Sequence, residues 1–121
     1  MAKVLISPGK YVQGAGEMKK LGEYAQNYGK KALILISKGG YKRIGAMVEK
    51  SFEGKECGYV FDYFNGECSK KEIKRLGEIV KKEACDVVIG IGGGKIFDTA
   101  KAVAYYEKTP VLICPTIAST D

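Results

Sequence analysis

A chain of 121 residues, 45% hydrophobic and 28% charged, suffices for one domain with its own core, and no apolar run reaches the roughly 18 residues of a membrane span. The net charge of +6 does not single out nucleic acid, because the lysines between Lys70 and Lys82 alternate with Glu72 and Glu78 as on a solvated helix face, with no aromatics interleaved for base stacking. Four cysteines without a C-x-x-C pair, and no histidine, exclude zinc ribbons, zinc fingers and thioredoxin-like redox motifs; with no leader pattern, the chain reads as soluble and cytoplasmic, without a nucleic-acid or membrane partner.

Along the chain, Lys3 to Ile6 reads as a first strand stopped by Ser7-Pro8-Gly9. Glu17 to Tyr28 reads as a helix. Met18, Leu21, Ala25 and Tyr28 recur at helical spacing, and Gly29 suits a left-handed stop. Ala32 to Ile36 is a continuous apolar run, the mark of a strand buried on both faces. Tyr41 to Phe52 reads as a helix with Ile44, Met47, Val48 and Phe52 on its inner side, and Gly58 to Phe64 as an aromatic strand.

Ser69 with Glu72 three residues on forms a capping box, and opens a helix whose buried stripe is Ile73, Leu76, Val80 and Ala84. Asp86 to Ile91 is the next buried strand, Lys95 to Tyr106 the next helix, with Phe97, Ala100 and Ala104 facing the core, and Val111 to Cys114 the last strand. Cys85 and Cys114 border or lie in these runs and are expected to be buried and inert. Strands alternating with helices predict an open α/β fold, a mostly parallel sheet flanked by helices and Rossmann-like, in which ligands bind beyond the carboxyl ends of the strands. That directs attention to the turns after Ile36, Ile91 and Cys114.

The sharpest of these turns is Gly90-Ile91-Gly92-Gly93-Gly94-Lys95. Consecutive glycines let a backbone approach a ligand closely. The free amides and dipole of the following helix attract negative charge, and Lys95 adds a full positive one. The pattern is neither of the two common phosphate motifs. A Walker A motif needs glycine where Ile89 stands and Ser or Thr where Ile96 stands; G-x-G-x-x-G counted from Gly90 needs glycine at Lys95. The rival reading is a turn whose glycines serve packing alone. Asp98, in the first turn, would by itself do no more than interact with the helix dipole, for about 0.3–1 kcal/mol.

The stretch Gly92-Gly93-Gly94-Lys95-Ile96-Phe97-Asp98-Thr99-Ala100-Lys101-Ala102-Val103-Ala104 resembles the cofactor motif of the glycerol dehydrogenases of the iron-containing alcohol dehydrogenase superfamily. Pro115-Thr116-Ile117-Ala118-Ser119-Thr120-Asp121 is similar to that family's next motif, and Ile6 to Gly14 to its N-terminal segment. The resemblance implies that Gly92, Gly93, Gly94, Lys95 and Asp98 line the diphosphate and adjoining ribose of NAD. It puts Thr116 and Ser119 nearer the nicotinamide, and Asp121 beside a polyol such as glycerol. It also implies oxidation of a vicinal diol to a hydroxyketone, and a homo-oligomer is compatible with it.

Two departures qualify the resemblance. NAD-preferring members commonly carry an aspartate after the second strand; here Ser37 stands there, followed by Lys38, so that NADP is open beside NAD. The alternative is that Ser37 simply caps the helix starting near Tyr41. The family also binds zinc or iron through an aspartate and two histidines of a later helical domain, where the metal acts as Lewis acid on the alcohol oxygen. This chain has no histidine and is roughly a third of the family's length. It is therefore expected to lack that domain, to hold no catalytic residue or metal, and to be inactive alone. The rival expectations are a self-associating interaction domain and a part of a glycerol-1-phosphate or other alcohol dehydrogenase.

Overall fold

In the computed structural model, residues 9–12 and 16–116 are described. Among them, five strands build one parallel sheet in the order β1-β5-β4-β2-β3. These are β1 (Gly9–Tyr11), β2 (Lys31–Ile36), β3 (Gly58–Tyr63), β4 (Val87–Gly92) and β5 (Val111–Pro115). The helices are α1 (Leu21–Ala25, entered through a 3-10 turn at Glu17–Lys20), α2 (Lys38–Ser51), α3 (Lys70–Glu83) and α4 (Gly94–Glu107).

Because side chains alternate across a strand, each buried strand feeds two cores. Ala32, Ile34 and Ile36, with Val87, Ile89, Ile91, Leu112 and Cys114, pack under α1 and α2 against Leu21, Ala25, Val48 and Phe52. Leu33, Leu35, Val88, Val111 and Ile113 pack on the opposite face against α3 and α4 through Leu76, Val80, Ile96, Ala100 and Val103. This is the expected α/β sheet covered on both faces. Apart from Lys31 at the start of β2, the three central strands are apolar because neither of their sides meets water.

The strand expected at Lys3 to Ile6 lies outside the described residues. Gly9, read from sequence as part of a stop, begins β1 instead, paired Gly9↔Val111 along β5. The helix expected over Glu17 to Tyr28 is shorter and split. Gly29 is not left-handed; a Cβ there would stand 2.3 Å from Asp86 Oδ1, the carboxylate that accepts from the Lys30 and Lys31 amides. Helix α2 starts three residues before Tyr41, and Met47 is exposed. Ala84 is exposed and left-handed (φ 56°), ending α3 instead of joining its buried stripe. Cys85 and Cys114 are buried as expected, and burial pushes the Cys114 thiol up to about 12.

Strand order fixes where a ligand can enter. From β2 the chain moves outward to β3, and from β4 it moves the other way to β5. The adjacent strands β2 and β4 therefore diverge in their connections, and their carboxyl ends flank the crevice of a topological switch point.

Candidate functional site

The register Ile36↔Ile91 sets Ser37 and Gly92 side by side at the mouth of this crevice. The register Gly92↔Pro115 brings the end of β5 alongside, and the Thr116 amide donates to Gly92 O at 3.3 Å. Thus three turns that are far apart in sequence, after β2, β4 and β5, meet at one edge of the sheet.

The glycines of the central turn have different physical duties. Gly90 lies inside β4, not in the turn. A Cβ there would stand 2.9 Å from Ala100 Cβ, so Gly90 lets α4 lie close on the sheet. Gly92 has φ +147°, a backbone that side chains resist, and it turns the chain out of the strand. Gly93 is extended (φ −125°, ψ −165°) and Gly94 opens the helix. A Cβ on either would meet nothing within 4 Å. Packing explains Gly90, conformation explains Gly92, and open space lies beside Gly93 and Gly94.

Helix α4 begins at Gly93 without a side-chain cap. Its first intrahelical bond runs from Phe97 N–H to Gly93 O at 3.0 Å, which leaves the amides before Phe97 at the exposed turn without intrahelical acceptors. The bend is therefore not plugged by its own side chains. Those amides, with the positive end of a 14-residue helix, suit an anion.

Lys95 Nζ lies 3.2 Å from Glu67 Oε2, both side chains being mostly exposed (65% and 74%). The pair is a weak surface contact, so the ammonium remains accessible. The sequence reading misses Glu67, which sits in the loop between β3 and α3 and meets Lys95 only through the packing of α3 on α4. Asp98 is exposed and is the fifth residue of α4, so it lies beyond the first turn where the sequence reading put it. The dipole account of Asp98 weakens accordingly. Thr99 is buried, and its hydroxyl donates to Lys95 O at 2.8 Å.

Ser37 is the N-cap of α2, its Oγ accepting from Gly40 N–H at 2.9 Å. Capping is therefore its structural role, and its place beside Gly92 also sets it in the crevice. Thr116 is half-buried at the end of β5. Ser119 and Asp121 lie outside the described residues. Among the described residues no group of three His, Cys, Asp or Glu side chains could hold a metal ion, and no helix is long and apolar enough to cross a membrane.

The family model for iron-containing alcohol dehydrogenase matches residues 8–121. The chain is 44% identical over 121 residues to a glycerol dehydrogenase of Citrobacter freundii. To one of Thermotoga maritima it is 48% identical over 128 residues. Both alignments take in the whole of this chain and 33% of the relative, so the chain spans about a third of the length of these curated relatives. The crystal structure of a probable glycerol dehydrogenase from Sinorhizobium meliloti superposes with a TM-score of 0.76 at 39% identity, over 93% of this chain and 30% of that one.

Proposed function

The chain belongs to the iron-containing alcohol dehydrogenase family, and from that premise we propose that it binds a nicotinamide dinucleotide, NAD or NADP, as the cofactor-binding part of a glycerol dehydrogenase-like oxidoreductase. The observation that carries this reading is the open, uncapped turn at Gly93 and Gly94, facing the switch-point crevice. Of the three 14-residue helices, α4 alone starts without a side-chain cap, since the starts of α2 and α3 are closed by Ser37 and Ser69, and a diphosphate fits that open start.

In this reading the amides of Gly94, Lys95 and Ile96 hold the diphosphate, with the Lys95 ammonium neutralising its charge. Gly92 and Gly93 keep that approach clear. Asp98 serves the adjoining ribose, and Thr116 and Ser119 the part of the cofactor nearer the nicotinamide. Asp121 then stands toward the polyol. The bound dinucleotide supplies the hydride acceptor; these residues bind and orient it.

The substrate of the whole protein is glycerol or a similar vicinal diol, oxidised to the hydroxyketone. That assignment is supported by the glycerol dehydrogenases among the relatives. No donor set among the described residues fits a catalytic metal, so in this reading the alcohol-activating metal belongs to a helical domain outside them, and no step runs through a metal here.

Calorimetric titration of NADH into this chain and its Lys95→Ala variant tests the reading. Weak binding by the wild type, falling about tenfold in the variant, is expected for the loss of one charge-assisted contact. Equal affinities would overturn the cradle.

A further inference from the structure

The two margins of the sheet are unlike. Strand β1 is three residues long with a lysine at its centre, the short and charged kind of edge that resists pairing with another chain. Strand β3 runs for six regular residues, Gly-Tyr-Val-Phe-Asp-Tyr, with neither lysine nor proline. Among the described residues only β2 pairs with it. Its single charge is already answered, since Asp62 Oδ1 lies 2.9 Å from Arg75 Nη1.

Hydrogen bonding fixes which backbone groups of β3 face outward. Gly58 N–H donates to Lys30 O and Phe64 N–H to Ile36 O, both at 2.9 Å. Successive residues of a strand turn their amides and carbonyls to opposite sides. Val60 and Asp62 therefore also bond toward β2, and Tyr59, Phe61 and Tyr63 turn away from it. Tyr63 O accepts from Arg75 Nη2 at 3.2 Å, which closes that end of the edge. The main-chain groups of Tyr59 and Phe61 have no partner among the described residues. Their rings lie on the α2 side of the sheet, 5.6 Å apart. An open hollow lined by Tyr41, Phe61, Asp62 and Tyr63 adjoins them.

We propose that β3 pairs antiparallel with β3 of a second copy of this chain, about a twofold axis through Val60. Self-complementarity selects this register. The outward groups of Tyr59 meet those of Phe61 on the copy, and the reverse, so that every open group is used. Each Tyr59 ring then stands opposite a Phe61 ring on the same face, a favourable cross-strand pair. Val60 faces its own counterpart, and Asp62 falls opposite Gly58, so that no like charges confront each other. A segment of unrelated sequence gains the main-chain bonds without this matching.

Sedimentation equilibrium of the 121-residue chain, with amide exchange followed by heteronuclear NMR, tests the pairing. A contact this short is expected to give a dissociation constant on the order of 0.1–1 mM. The dimer should tighten as salt screens the net charge of +6 on each copy. The Tyr59 and Phe61 amides should exchange more slowly as concentration rises. Val60→Lys and Val60→Glu should each weaken association about fivefold by setting like charges face to face, and an equimolar mixture of the two should recover it.

A wild type still wholly monomeric at about 1 mM overturns the proposal. Full protection of the two amides already in the monomer also overturns it, because another segment of the chain then covers the edge. A dimer that leaves these amides unprotected, or that is equally strong in Val60→Lys, lies elsewhere on the molecule and overturns it too. A variant that unfolds is recognised by its lost amide dispersion, and the exchange of the wild type then decides.

Discussion

Helices α3 and α4 are both 14 residues long, lie on the same face of the sheet and pack on each other, yet their starts are opposites. At α3, Ser69 Oγ accepts from Glu72 N–H at 3.1 Å. The Glu72 carboxylate, only 1% exposed, is held by Arg75 and by the Asn65 amide at 3.2 Å. At α4 a glycine replaces the capping residue, and the space beside it is empty of side chains. One start is satisfied from within and contributes stability. The other leaves its donors to whatever arrives from outside. Glycine caps a helix less well than serine, by roughly a few tenths of a kcal/mol, and under the proposed function a bound dinucleotide supplies the acceptor that the cap lacks.

The largest effect in this contrast belongs to the closed start. Glu72→Ala leaves the Asn65 amide without its acceptor and Arg75 with only Asp62 and the Tyr63 carbonyl, and should cost about 2 kcal/mol, less than for a fully buried pair because Arg75 is partly exposed. Hydrogen bonding from Arg75 holds the Glu72 carboxyl below its ordinary 4.5. A depressed pKa stabilises the fold above the unfolded value and loses that stability as pH falls through the folded one. Wild-type stability should therefore decline below pH 4.5, and Glu72→Ala should decline less steeply. Urea denaturation at about pH 7 and about pH 3 checks both parts; parallel pH profiles for the two proteins would remove Glu72 from the account.

The next effect converts the open start into a closed one. Gly93 is extended and a Cβ there meets open space, so Gly93→Asp fits without strain. It supplies a cap better than glycine by roughly a few tenths of a kcal/mol and fills the turn with negative charge. We expect a higher melting temperature together with at least a roughly tenfold loss of NADH affinity, as the carboxylate takes the amides and repels the diphosphate. Gain of stability with unchanged affinity would mean that the amides of α4 do not face the cofactor.

How much of this was legible beforehand follows from the range of the forces involved. The apolar runs of β2, β4 and β5 identify buried parallel strands because burial on both faces writes itself into every residue. Ser69 and Gly92 to Lys95 are legible because caps and turns are local. Strand β1 is three residues long with no alternation to read, and is specified by its pairing with β5. The start of α2 hides behind Gly39 and Gly40, poor helix formers; Gly40 stands where a Cβ would be 3.0 Å from Ile36 Cγ1. The second leg of the expected capping box is replaced, since Glu72 turns to Arg75 and Asn65 rather than to the cap. The reach of Glu67 to Lys95 is a through-space fact, created by packing and invisible to spacing.

The smallest expected effect tests whether the open start is wholly open. Glu67 is the one carboxylate that the described chain brings to Lys95, at 3.2 Å. It competes with an incoming diphosphate for the ammonium and adds negative potential at the turn. Both side chains are mostly exposed, so water and salt screen the pair and the competition is slight. Glu67→Gln keeps the shape of the side chain and removes its charge. NADH should then bind about two- to threefold more tightly at low ionic strength, and the gain should vanish as salt is raised. The same substitution in the Lys95→Ala background should give a smaller gain, because the pair no longer exists to be broken. An equal gain in both backgrounds would mean that Glu67 acts on the ligand directly, and that Lys95 faces the crevice unopposed.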